Sequence, residues 1–295
     1  MKKRGIFGFL LAVLLCLLVA VPTFADIGPK PSVIIEIRGL EGKSCYATLL
    51  SETPSTGPWS ANGEYYDWMG DQAVFDAFLG YQDADSFYFL SWMQDCTEDA
   101  TLRWTYYPPQ RFKLLLYFPE TGQFLSSREI YERYAFDSYF AATVDGDAVL
   151  AAQTVDGTID DVIDMEQSYD FTWELISLLC RVIITILIEV AVAWLLFGFR
   201  KKEQLRVICI TNVCTQIILN ILLNVVHYGC GEMAFVLFYI LLELLVVVIE
   251  AVIYCRFLRN VEEEKEIHPI LYAVVANVLS FGAGMLIAVK LPGIF

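Results

Sequence analysis

Four apolar segments, at 173–199, 207–226, 233–258 and 270–289, dominate the C-terminal part of this 295-residue chain. Each has the roughly 20 residues that a helix needs to cross the hydrocarbon of a bilayer. The third segment carries two carboxylates, Glu243 and Glu250, and a charge at that depth costs roughly 2.5–3.5 kcal/mol on insertion scales. Tyr239, Glu243, Glu250 and Tyr254 follow one another at spacings of four, seven and four. A helix puts those positions on one face, so the acids look toward something other than lipid.

The other segments repeat the pattern. Arg181, Thr185 and Glu189 stand at steps of four in the first segment, and Asn212, Gln216, Asn220 and Asn224 in the second. The fourth offers Asn277 and Ser280, with Ala276, Ser280 and Gly284 as a small-residue face for close packing. Counted along the helices, Arg181 and Glu243 share one depth, while Glu189, Glu250, Asn212 and Asn277 share a deeper one. Three glutamates against one arginine leave charge to neutralise. Pairing Arg181 with Glu243 leaves Glu189 and Glu250 as a protonatable or cation-binding couple. The same residues also suit plain interhelical hydrogen bonding, or an interface with a partner subunit or a second copy of the chain.

The segment from Asp26 to Asp170 is of a different kind. It holds 25 acidic residues against 8 basic ones, a net charge of −17 within a chain whose total is −15, which excludes a nucleic-acid-binding surface. Short alternating runs punctuated by turn residues predict strands over 32–38, 44–51, 87–93, 102–107, 111–118 and 138–144, with one or two more between 124 and 136 and a brief helix over 70–79. The first two runs, separated by GLEGK, read as a hairpin. Six to eight such strands indicate an all-β, sandwich-like domain over 26–155, followed by an acidic linker over 156–172.

Before this domain, residues 1–25 combine a basic start (Lys2, Lys3, Arg4), an apolar run and small residues at Thr23 and Ala25, the pattern of a cleaved secretory signal. Cys16 lies within the apolar run, without the small residues that a lipidation site needs before it. A secreted β domain makes 200–206, with four basic residues, the first cytoplasmic loop and 259–269 the second, in agreement with the positive-inside bias. Cys45 and Cys96 are the domain's two cysteines and are available to pair if it lies outside the cytoplasm.

Trp59, Trp68 with its neighbours Tyr65 and Tyr66, Trp104, Tyr106 and Tyr107 are candidates for a stacking platform for sugars or peptides, with core filling as the alternative. Asp145, Asp147, Asp156, Asp160, Asp161 and Asp164 lack the spacing of a helix-loop-helix calcium site and read as a solvated stretch. Glu262, Glu263, Glu264 and Glu266 read as a solvated turn. With only His227 and His268 in the chain, no histidine-based metal or nucleophile site assembles, and no catalytic residue, metal or cofactor is expected.

The stretches DIGPKPSV (26–33), FKLLLYFP (112–119) and YERYAF (131–136) resemble an uncharacterised family of bacterial membrane proteins with the same order of signal peptide, extracytoplasmic domain and C-terminal helices. That resemblance implies the architecture and no activity. Two functions fit these observations. The first is an extracytoplasmic ligand-binding, sensing or accessory protein anchored by a four-helix bundle. The second is a small cation- or proton-linked transporter component using Glu189, Glu243 and Glu250.

Overall fold

The computed structural model describes residues 28–40, 42–127, 129–144, 158–160, 163–258 and 268–290. Residues 1–25, where a signal peptide is expected, most of the Asp145–Asp161 stretch, and the Glu262–Glu266 run therefore lie outside the described residues. The chain divides into two units at Tyr169 and Asp170.

In the N-terminal unit, β1 (Ser32–Arg38), β7 (Thr101–Trp104), β11 (Asp137–Val144) and β13 (Ile163–Gln167) form a four-stranded sheet in the order β13-β11-β1-β7. A second sheet has the order β12-β9-β8-β2-β5, from β2 (Tyr46–Ser51), β5 (Tyr88–Phe89), β8 (Arg111–Phe118), β9 (Gln123–Ser126) and β12 (Thr158–Asp160). Two short strands join it: β6 (Gln94–Asp95) pairs with β2, and β10 (Tyr131–Glu132) pairs with β8. A separate ribbon pairs β3 (Ser55–Thr56) with β4 (Trp59–Ser60).

Alternation explains the core. Val33, Ile35 and Ile37 from the first sheet meet Ala47, Leu49, Leu114 and Leu116 from the second in one buried cluster. The opposite face of β8 and β2 is buried too, because helix α1 (Gln72–Gly80) lays Val74, Phe75 and Phe78 against Leu50 and Leu115. Asp71 starts that helix by accepting hydrogen bonds from Ala73 N at 2.7 Å and Val74 N at 3.3 Å.

Several expectations need correction. Strands β1 and β2 do not form a hairpin: β1 runs parallel to β11 and antiparallel to β7, while β2 pairs with β8 in the other sheet. Between them Gly39 turns the chain at φ +88°, where a side chain would collide with the carbonyl oxygen of Val144. The run 87–93 is no continuous strand, since Ser91 has φ +55° and separates β5 from β6. The stretch expected as linker contains β12 and β13, and β13 closes the first sheet by pairing Val144 with Ile163.

The second unit holds α2 (Phe171–Leu195), α3 (Lys202–Cys230), α4 (Glu232–Phe257) and α5 (Pro269–Lys290). The first three are long and apolar enough to cross a membrane. Each helix packs on its chain neighbours, and α5 returns against α2. Residues 202–206, expected in a loop, are already helical, as are His227–Cys230, so Gly231 at φ +80° alone separates α3 from α4. The burial pattern is polar inside and apolar outside. Glu189, Asn212 and Glu250 have no exposed surface, whereas Leu179, Leu187, Ile218, Leu244 and Val252 are each at least 59% exposed on the outer faces, as suits a helix surface meant for lipid.

Candidate functional site

The polar seam of the bundle forms two layers, as the spacing implies. In the deeper one, Asn212 Nδ2 on α3 donates to Glu189 Oε2 on α2 at 2.7 Å and lies 3.0 Å from the Tyr254 hydroxyl on α4. Glu250 Oε1 receives the Thr215 hydroxyl at 2.8 Å, and its Oε2 receives Asn277 Nδ2 from α5 at 2.6 Å. All four helices therefore contribute to one network. Spacing alone did not single out Thr215, which lies three residues after Asn212 on the same helix and so faces the same seam.

Three buried acceptors in this layer have no hydrogen-bond partner among the described residues: Glu189 Oε1, Asn212 Oδ1 and Asn277 Oδ1. Buried polar atoms are paired in the great majority of cases, so three orphans in one network require an account. No Lys, Arg or His contributes to these hydrogen bonds. The network is rich in acceptors and short of donors.

The second layer holds Arg181, whose Nη1 donates to Asn220 Oδ1 at 3.2 Å and whose guanidinium lies 5.6 Å from the centre of the Phe235 ring. Arg181 and Glu243 line the same small cavity of about 10 Å³, together with Thr185, Gln216, Tyr239 and Ser280, the room of about one water. Arg181, Asn220 and Tyr239 also line an adjacent, larger cavity, a vestibule of about 410 Å³. Glu174, His227 and Glu232 line that vestibule, at the end of the bundle where α2 begins. On the opposite side of the acids, Tyr254, Tyr272 and Phe199 are at most 2% exposed, with ring centroids 5.1 Å apart for Phe199–Tyr272 and 5.2 Å for Tyr254–Tyr272.

In the β unit, the expected aromatic platform separates into parts. Trp104 is 1% exposed and packs its ring 4.3 Å from Trp92 and 6.0 Å from Trp59, so it belongs to the core. Tyr107, at φ +51°, has its ring already covered by the Lys30 ammonium at 5.2 Å. Tyr106 is exposed, and its carbonyl accepts from the indole nitrogens of Trp59 at 2.6 Å and Trp104 at 3.1 Å. The open surface belongs to Trp68, 65% exposed, stacked on Tyr66 at 6.2 Å and 14°. Tyr66, grouped with Trp68 from the sequence, is part of this set of outward rings, whereas Tyr65, grouped with them, packs its ring 5.3 Å from that of Phe75. Glu64 accepts from the Tyr66 hydroxyl at 2.9 Å and so places a carboxylate beside those rings, and Asp67 lies between Tyr66 and Trp68 in the chain.

Cys45 and Cys96 stand opposite one another, one step beyond the Tyr46–Asp95 pair of β2 and β6, with Cys96 N donating to Cys45 O at 2.8 Å. They are buried as separate thiols. Burial, reinforced by Asp95, pushes Cys96 up to about 12, and burial beside Cys96 pushes Cys45 up as well.

No known family model matches this sequence, and no curated protein is similar to it.

Proposed function

We propose that this is an integral membrane protein that displays a ligand-binding, sandwich-like β domain outside the cytoplasm on a bundle of four spanning helices, with α5 as the fourth span. The ligand carries positive charge. The observation that carries this reading is the exposed Tyr66–Trp68 stack with Glu64 beside it and Asp67 between the two in the chain, on a segment of net charge −17. Aromatic faces attract cations through their quadrupole, by about 0.5–1 kcal/mol at exposed sites, and neighbouring carboxylates add to that pull. Lys30 over Tyr107 is a cation held in the same way within the domain itself.

Titration of the full-length protein in nanodiscs with a short oligolysine peptide tests the reading through tryptophan fluorescence. A saturable change is expected, weakened by added salt and weakened about fivefold in Trp68→Ala, the equivalent of about 1 kcal/mol. No saturable change, or a response that Trp68→Ala leaves intact, contradicts it.

A further inference from the structure

We propose that Glu189 and Glu250 form a proton-binding pair in the centre of the bundle, held as neutral acids and loaded through the vestibule at the end where α2 begins. This goes beyond ligand binding by the β domain and rests on different residues.

Both carboxyls are fully buried, and each takes one short amide hydrogen bond, from Asn212 and Asn277 respectively. In each amide the oxygen is left without a partner, as is Glu189 Oε1. Two added protons remove the charge of the pair and keep the hydrogen bonds already made. On Glu189, a proton on the unpartnered Oε1 leaves Oε2 accepting from Asn212. On Glu250, a proton on Oε1 is donated to Thr215 Oγ1. The single hydrogen of Thr215 then turns to the carbonyl oxygen of Thr211, already within 3.0 Å. Loss of the Glu250 proton reverses that rotation, and Thr215 donates to the carboxylate instead. The hydroxyl thus serves either state without moving the backbone.

The groups facing the pair allow no simpler neutralisation. From α3 come Asn212, Thr215 and the Cys209 thiol; from α5, Asn277 and Tyr272; from α4 itself, Tyr254 and, two turns away, Glu243. On α2, Arg181 stands two turns from Glu189 and bonds Asn220. Leaving two carboxylates ionised there costs several kcal/mol.

The polar approach to the pair is on one side, since the cavity of about 360 Å³ that reaches Thr211 and Thr215 is otherwise lined by Cys214 and apolar side chains. Thr185, Gln216 and Ser280 line the 10 Å³ cavity and stand about one helical turn, roughly 6 Å, from Glu189, Asn212 and Asn277. Arg181, Asn220 and Tyr239 line both that cavity and the 410 Å³ vestibule. Beyond the acids, the buried rings of Tyr254, Tyr272 and Phe199 close the other route.

Infrared spectroscopy of the full-length protein in liposomes tests the proposal. At pH 7 the wild type is expected to show protonated-carboxyl stretches that shift in D₂O. Glu189→Gln and Glu250→Gln, which mimic the neutral acid, are each expected to remove part of the signal. Asn220→Leu, at the throat between vestibule and cavity, is expected to slow the D₂O shift roughly tenfold. The proposal is overturned if the wild type lacks the signal at pH 7. It is also overturned if the signal never exchanges, which marks sealed structural acids, or if sodium chloride abolishes it, which marks a cation site. The wild-type spectra decide these outcomes even if a variant fails to fold.

Discussion

At the scale of single residues, the β unit buries a charge by setting counter-charge against it. Lys113, in the middle of β8, has 4% of its side chain exposed and is held by Asp83 at 3.0 Å and by Asp85 at 2.5 Å. Burial pulls its ammonium down, but the hydrogen bonds and charges of Asp85 and Asp83 outweigh that and leave its pKa raised. A raised lysine contributes stability below its unfolded value of about 10.4 and loses it as pH climbs through the folded value. Lys113→Met strands the Asp83 carboxylate and is expected to destabilise the β domain by about 3 kcal/mol in urea titrations at pH 7, with the difference from wild type shrinking above pH 11. The two thiols give a second test. In protein kept reduced, native alkylation at pH 8 is expected to leave Cys45 and Cys96 unmodified, because burial holds both protonated; unfolding exposes both to the reagent. Rapid native labelling of either thiol contradicts the burial.

At the scale of elements, the helices were far more legible in the sequence than the strands. A residue every four positions is a signal that survives tertiary context, because bundle packing preserves the periodicity that defines the face. Hence Arg181, Glu189, Asn212, Gln216, Asn220, Glu243, Glu250 and Asn277 all sit in the seam or its cavity. What periodicity does not carry is the partner of each group: Asn220 is the hydrogen-bond partner shown for Arg181, and Thr215 entered unannounced. In the β unit the strand β1 was readable as such, but its neighbour was not, because a loop with glycines permits both a hairpin and a step to another sheet. Gly39 marks the second choice. Gly39→Ala brings a methyl group onto the Val144 carbonyl at a left-handed φ and is expected to lower the β domain's stability by more than 1 kcal/mol, measured by thermal melting. Gly42, with open space around its α-carbon, is the control, since its substitution adds backbone strain without a collision. An unchanged melting temperature in Gly39→Ala would place the crossover elsewhere.

At the scale of the whole molecule, the division of labour follows from composition. An acidic segment of alternating strands builds a unit with its apolar residues inside, and an apolar segment with polar stripes builds one with its polar residues inside. The first fits water, the second lipid. The aromatic content of the β unit was visible at once, but which rings face out was not, since Trp104 and Trp68 are equivalent in a sequence and opposite in exposure, at 1% and 65%. The sidedness of the two units is the central claim, and it yields most directly to a membrane-impermeant amine reagent applied to intact cells, with labelled sites mapped by mass spectrometry. Lys30 and Lys43 in the β unit are expected to be labelled on intact cells, and Lys201 and Lys202 before and at the start of α3 only after permeabilisation. Labelling of Lys201 and Lys202 on intact cells, with Lys30 and Lys43 protected, would contradict an outward-facing β domain.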